Sequence, residues 1–138
     1  RTGVEIYSDR LKHYVPFSIT YLPSSSAANP DRIISEESAS IMAKFQPRDL
    51  IVLLDEKGKE FRSVELAAQM EKWMNRGVNR LVFIVGGAYG VSEEVKAKAD
   101  LIMSLSKMTF THQMIRVIIV EQLYRAMSIT RNESYHHE

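Results

Sequence analysis

Apolar positions along this chain recur with two periods, one near two residues and one near 3.6. Phe17–Leu22 (FSITYL) alternates as a half-buried strand does. Asp49–Leu54 (DLIVLL) and Arg80–Val85 (RLVFIV) are short apolar runs rich in β-branched residues, the signature of strands covered on both faces in a parallel sheet. Leu101–Ser106 (LIMSLS) is a weaker fourth. Between them, Ile34, Ile41, Met42 and Phe45 share one helical face, and Leu66, Met70, Trp73 and Met74 share another that Asn75, Arg76 and Gly77 bring to a stop. Strand and helix alternate, which implies an α/β fold with a mainly parallel sheet, helices on both faces and right-handed crossovers.

The first residues, RTGVEIYSDRLKHY, read as a helix with no strand before it. A helix in a parallel α/β unit normally follows a strand, so a first strand is expected upstream of Arg1. Pro23–Asp31 (PSSSAANPD) is short enough to be an ordinary loop, and residues 1–138 are expected to form one domain.

A length of 138 residues, 45% hydrophobic and 25% charged, suits one globular core. The chain has no cysteine, which removes disulfides and thiolate metal sites and fits a reducing compartment such as the cytoplasm. No apolar run reaches membrane-spanning length. A formal charge of +1 gives no general grip on nucleic acid, so an RNA partner must be recognised by shape or by a local site.

Ligands of open parallel sheets collect at the carboxyl ends of strands. That directs attention to the loop Asp55–Phe61 (DEKGKEF), the turn Gly86–Gly90 (GGAYG) and the opening stretch. The glycine turn lacks a following Lys-Ser/Thr and feeds a helix beginning with Glu93 and Glu94, a poor setting for phosphate. An uncharged adenosine or a cationic ligand meets no such penalty. The helix predicted over about Gln113–Ile129 is apolar on nearly every face, so it should be buried on two sides, by the sheet and by a second subunit. Ile119 and Leu123 are expected on the outward face. A central core helix in a monomer is the alternative.

LLDEKGKEF, FIVGGAYG, LSKMTFTHQMIRVIIVEQLYRA and the terminal YHHE together resemble the ribosomal RNA large subunit methyltransferase H family, within the SPOUT superfamily of knotted methyltransferases. The resemblance runs in order along the whole chain, with SKMTF-HQ and R-EQLYRA its most specific part. Thr111 stands where members commonly have proline, and the family's opening strand is absent from these residues. The resemblance implies a C-terminal deep trefoil knot, a homodimer, and methyl transfer from S-adenosylmethionine to N3 of a pseudouridine in 23S ribosomal RNA of the large subunit, with the assembled ribosome as substrate. It places the cofactor at Leu54, Gly86, Leu105, Ser106, Lys107, Met108, Thr109 and Phe110.

Methyl transfer from a sulfonium is an in-line displacement that needs alignment and exclusion of water; it requires neither a metal nor a covalent nucleophile. The N3–H of pseudouridine must lose its proton, so a base or a stabiliser of the developing anion helps. His112, Arg116, Tyr135, His136 and His137 are the candidates, with Arg125 behind Arg116 because Glu121 stands four residues before it. The resemblance assigns the Tyr-His tail to the RNA side of the site, reaching across the dimer. His137 occupies a position where members often have Arg or Lys. His136, His137 and Glu138 lack a fixed third ligand for a metal. The competing readings are a non-catalytic nucleotide-binding module and a ribosome-associated binding protein without turnover.

Overall fold

A computed structural model of the chain describes residues 2–133 and 135. The elements run α1 (Gly3–Leu11), α2 (Pro30–Met42), β1 (Asp49–Glu60), α3 (Ser63–Asn75), β2 (Arg80–Val85), α4 (Glu93–Lys98), β3 (Leu101–Ser104) and α5 (His112–Thr130). The strands form a parallel sheet in the order β2-β1-β3. Side-chain parity divides the protein into layers. Leu50, Val52 and Leu54 face a core built with α1, α3 and α5, whereas Ile51 and Leu53 face a smaller core with Ile41, Met42, Phe45 and Val95 from the α2 and α4 side. Helices therefore cover both faces, as the near-continuous apolar runs require.

Helix starts follow local chemistry. Thr2, Asn29, Ser92 and Thr111 each accept a backbone N–H of the first turn, and Pro30 opens α2. Thr111 thus caps α5, so the departure from proline supplies an N-cap. Arg80 and Asp49 lie opposite each other in the β1–β2 register and form a two-point ion pair, with Nε–Oδ1 at 2.9 Å and Nη2–Oδ2 at 2.6 Å.

Four expectations are corrected. Phe17–Leu22 forms no strand among the described residues: Phe17 packs on the main core, but Ile19 and Tyr21 are exposed and no ladder reaches the segment. Alternation describes side chains, while a strand exists through backbone pairing. Asp55–Phe61 is not a free loop. Asp55 Oδ1 accepts from Lys57 N–H at 2.8 Å, and the chain then folds back so that Lys59 and Glu60 pair with Met103 and Ser104 after a register shift. Met74 is exposed, while Leu66, Met70 and Trp73 are buried. Ile119 and Leu123 are also buried, because α1 and α3 both pack along α5 within the same chain. Gly3 permits that approach: a Cβ there would meet Val117 Cγ1 at 3.1 Å.

Gly58 is where the folded-back segment touches the β3 backbone. A Cβ at this position would lie 2.6 Å from the Ile102 carbonyl carbon and oxygen and 2.7 Å from Met103 N. No rotamer relieves a clash with backbone, so Gly58→Ala should cost about 2–3 kcal/mol in chemical denaturation and loosen the strand end. Stability should also fall in acid through Asp49. Its carboxyl is held below the ordinary carboxylate range, chiefly by the hydrogen bond from Arg80. A carboxyl depressed by folding contributes fully above its unfolded value near ~3.9 and loses that contribution as pH falls through the folded value. Thermal melts should show this as a steepening below about pH 4 that Asp49→Asn flattens.

Candidate functional site

The sheet register builds the site. Leu54 pairs with Val85 on one side and Met103 on the other, so Gly86 and Leu105 emerge beside the point in β1 where its first run of ladder pairs stops, before the register shift. The segments after all three strands therefore lie side by side; the residue pattern points to the first two and to the opening stretch, which instead forms α1 against α5, while the third segment is the one the family resemblance implies. Thr109 Oγ1 donates to Glu56 Oε2 at 3.0 Å, and Lys107 Nζ lies 3.7 Å from Glu60 Oε1, which ties the third segment to the first. Ser106 Oγ accepts from Met108 N–H at 2.9 Å, and its carbonyl accepts from Ser104 Oγ at 2.9 Å, so the polar residues of this loop fix its own backbone. Met108 and Phe110 are left exposed as apolar walls, the former at 72%. Beneath Leu105 lies a cavity of about 150 Å³ among Phe61, Ser63, Leu66, Met103, Ser104, Ile118 and Gln122. A void of that size holds one aromatic ring.

Gly87 O accepts from Gly90 N–H at 3.0 Å, and Gly90 takes φ +84°, a left-handed conformation glycine adopts freely. A Cβ on Gly86 would meet Val91 Cγ1 at 3.2 Å and the Gly90 carbonyl carbon at 3.6 Å, so a larger residue presses on the turn itself. Helix α2 braces this turn at both ends. Ser38, almost wholly buried, accepts from Ser92 N–H at 2.9 Å, and the Glu37 carboxylate occupies the space a side chain on Gly87 would take. Sequence reasoning missed Glu37, although a signal existed: it stands three residues after Ile34 and four before Ile41, a carboxylate within the apolar stripe.

His112, the first residue of α5, is half-buried, and Arg116, one turn on, is exposed with its guanidinium 5.2 Å from the Tyr21 ring. These two share a face beside the third segment. Tyr135 lies elsewhere. Its ring packs edge-on against Tyr124 at 4.7 Å, and its hydroxyl is 3.3 Å from Glu121 Oε2 and 3.4 Å from the Tyr7 hydroxyl. Nine residues of helix separate Glu121 from His112, about 13 Å along the axis, so one chain does not unite Tyr135 with His112. Burial first, then the Tyr7 hydrogen bond and Glu121, push the Tyr135 phenol well above its ordinary value. It is a hydrogen-bond donor at physiological pH, not a proton acceptor. Arg125 is committed to Glu121, with Nε 3.0 Å from Oε2. His136 and His137 lie outside the described residues.

The arrangement suits a ligand with apolar rings and a positive charge better than a phosphate. Glu93 and Glu94 open α4 beside the glycine turn, and Glu37 and Glu56 add carboxylates. Among the described residues no group of three His, Asp or Glu is placed to hold a metal, and no helix is long and apolar enough to cross a membrane.

Comparison with known proteins gives a consistent family. Residues 1–136 match the sequence model of a family described as predicted SPOUT methyltransferase. Among similar proteins, one from Parabacteroides distasonis is 50% identical over 139 residues, covering 99% of this chain and 88% of that protein. One from Christiangramia forsetii is 47% identical over 137 residues, covering 97% and 87%, and one from Bacteroides fragilis 46% over 140 residues, covering 99% and 89%. All three are named ribosomal RNA large subunit methyltransferase H.

Proposed function

The chain belongs to the SPOUT methyltransferase family, and from that premise we propose that it methylates ribosomal RNA of the large subunit, at N3 of a pseudouridine, using S-adenosylmethionine. The observation that carries this reading is the meeting of Leu54, Gly86 and Leu105 at the carboxyl end of one parallel sheet. Leu54, Leu105, Met108 and Phe110 would wall the cofactor, and the backbone of Gly86 and of Ser106–Thr109 would meet its polar edges. S-adenosylmethionine, when bound, supplies an electrophilic methyl group. In this reading His112 takes the N3 proton at a ring nitrogen and Arg116 stabilises the developing anion. The family's trefoil knot belongs to the same reading.

The tail, Tyr135, His136 and His137, would serve the RNA side of the site in a second copy, since within one chain Tyr135 sits along α5 from His112. A homodimer is therefore part of the proposal, but not through Ile119 and Leu123, which the chain buries itself. Exposed Met114, in the first turn of α5, marks the better candidate face. The assembled ribosome as substrate and the cytoplasm as location follow from the same reading. A phosphate-binding module without catalysis fits poorly, because carboxylates surround the glycine turn.

Calorimetry should detect binding of S-adenosylhomocysteine and none of ATP or FMN. Gly86→Val should weaken that binding at least tenfold by deforming the turn, and unchanged affinity in the folded variant would remove the turn from the site. Deleting Tyr135–Glu138 should leave cofactor affinity intact while mass spectrometry shows methylation of ribosomes reduced on the order of a hundredfold. Full methylation by the truncated protein would make the tail a passive end. Light scattering should show a dimer that Met114→Glu converts to folded monomers; a monomeric unaltered protein would exclude the shared site.

A further inference from the structure

Glu37 stands on α2, outside the three segments that follow the strands, yet its carboxylate reaches the glycine turn. Oε2 accepts from Ser25 N–H at 3.0 Å, and Oε1 lies against Gly87, one residue from Gly86. The side chain is partly buried, and no lysine or arginine pairs with it among the described residues. An ionised carboxylate has about four acceptor sites, and Ser25 fills one of them. A carboxylate with open acceptor sites beside the glycine turn, and no cation paired with it, is available to a ligand. Neighbouring Ser38 already braces the turn by accepting from Ser92 N–H.

We propose that Glu37 is a specificity residue, whose negative charge beside Gly87 makes the site prefer the sulfonium cofactor over its demethylated product. The inference rests on the S-adenosylmethionine reading above. S-adenosylmethionine and S-adenosylhomocysteine differ by one methyl group and one positive charge, at sulfur. A carboxylate held at the turn lies within one Debye length of a ligand bound against Gly86, so it attracts the sulfonium and is indifferent to the neutral thioether. The physical consequence is release of product after transfer, because the charge that held the donor in place vanishes with the methyl group.

Calorimetry with both ligands tests this on the full chain. Glu37→Gln keeps the shape and the Ser25 hydrogen bond while removing the charge. It should weaken S-adenosylmethionine binding about tenfold and S-adenosylhomocysteine binding less than twofold. Equal losses for the two ligands, or no loss for either, would overturn the charge role. A packing role predicts the equal loss. If Glu37→Gln fails to fold by circular dichroism, Gly87→Ala gives the same reading, since its methyl group displaces only the flexible end of Glu37. Selective loss of S-adenosylmethionine in that variant supports the proposal, and an unchanged ratio sinks it. Should the unaltered protein bind neither ligand, the cofactor reading itself falls and this inference falls with it.

Discussion

The register of β1 against its two neighbours is the constraint on which the site depends. A strand that is apolar on both faces has weak means of choosing its register, because a slip of one residue exchanges one apolar set for another. Here polar groups at the entry end make the choice. Asp49 faces Arg80 across β1 and β2, and on the other side Asp100 both accepts from Ile51 N–H at 2.8 Å and donates its own N–H to Ile51 O at 2.8 Å. With the amino ends pinned on both sides, Leu54, Val85 and Met103 must finish level. The loops that could hold a ligand are thus aligned by contacts several residues away at the opposite end of the sheet.

Periodicity made the larger part of the fold legible. The runs at Asp49–Leu54 and Arg80–Val85 became strands and that at Leu101–Ser106 did so over its first four residues, while Leu66, Met70 and Trp73 of one stripe and Ile41, Met42 and Phe45 of the other, though not Ile34, joined the two cores. What periodicity could not give was pairing. Phe17–Leu22 has the side-chain pattern of a strand without a ladder, and Lys59–Glu60 has a ladder without the pattern. Amphipathicity has a similar limit at α5. An all-round apolar helix demands cover on two sides but does not say whose, and α1 and α3 provide it within the chain.

The candidate site was legible in part. Topology directs attention to Asp55–Phe61 and Gly86–Gly90, whereas Leu54 and Leu105–Phe110 rest on the family resemblance, and Thr111 reads as an N-cap once α5 is known to begin at His112. Glu37 was hidden because it acts from a helix that precedes the sheet in sequence, through contacts with Ser25 and Gly87 at separations of 12 and 50 residues. Its visible trace, a carboxylate inside an apolar stripe, looks the same in sequence whether the residue serves a ligand or merely reaches solvent. Tyr135 shows the reverse: its place in sequence suggested the site, but Tyr7, Tyr124, Glu121 and Arg125 hold it on the flank of α5.

A net charge of +1 conceals a division along α5 that bears on how such a protein would meet RNA. Near the first turn stand Glu37 of α2 and Glu56 and Glu60 of β1, whereas farther along the helix Arg10, Arg125 and Arg131 lie over the rings of Tyr7, Tyr124, Tyr135 and Tyr14. Lys107 and Arg116 stand among the carboxylates of the first group, and Glu121 and Glu133 among the arginines of the second. Aromatic rings under guanidinium groups also offer faces on which unstacked bases can rest. The two ends of this nineteen-residue helix thus differ in chemistry, with carboxylates near the glycine turn at one and arginines over tyrosine rings at the other. Within a single chain Tyr135 stands at the second end and His112 at the first. This means that the nucleotide to be modified must reach across the length of α5, or be presented by the corresponding end of a second copy.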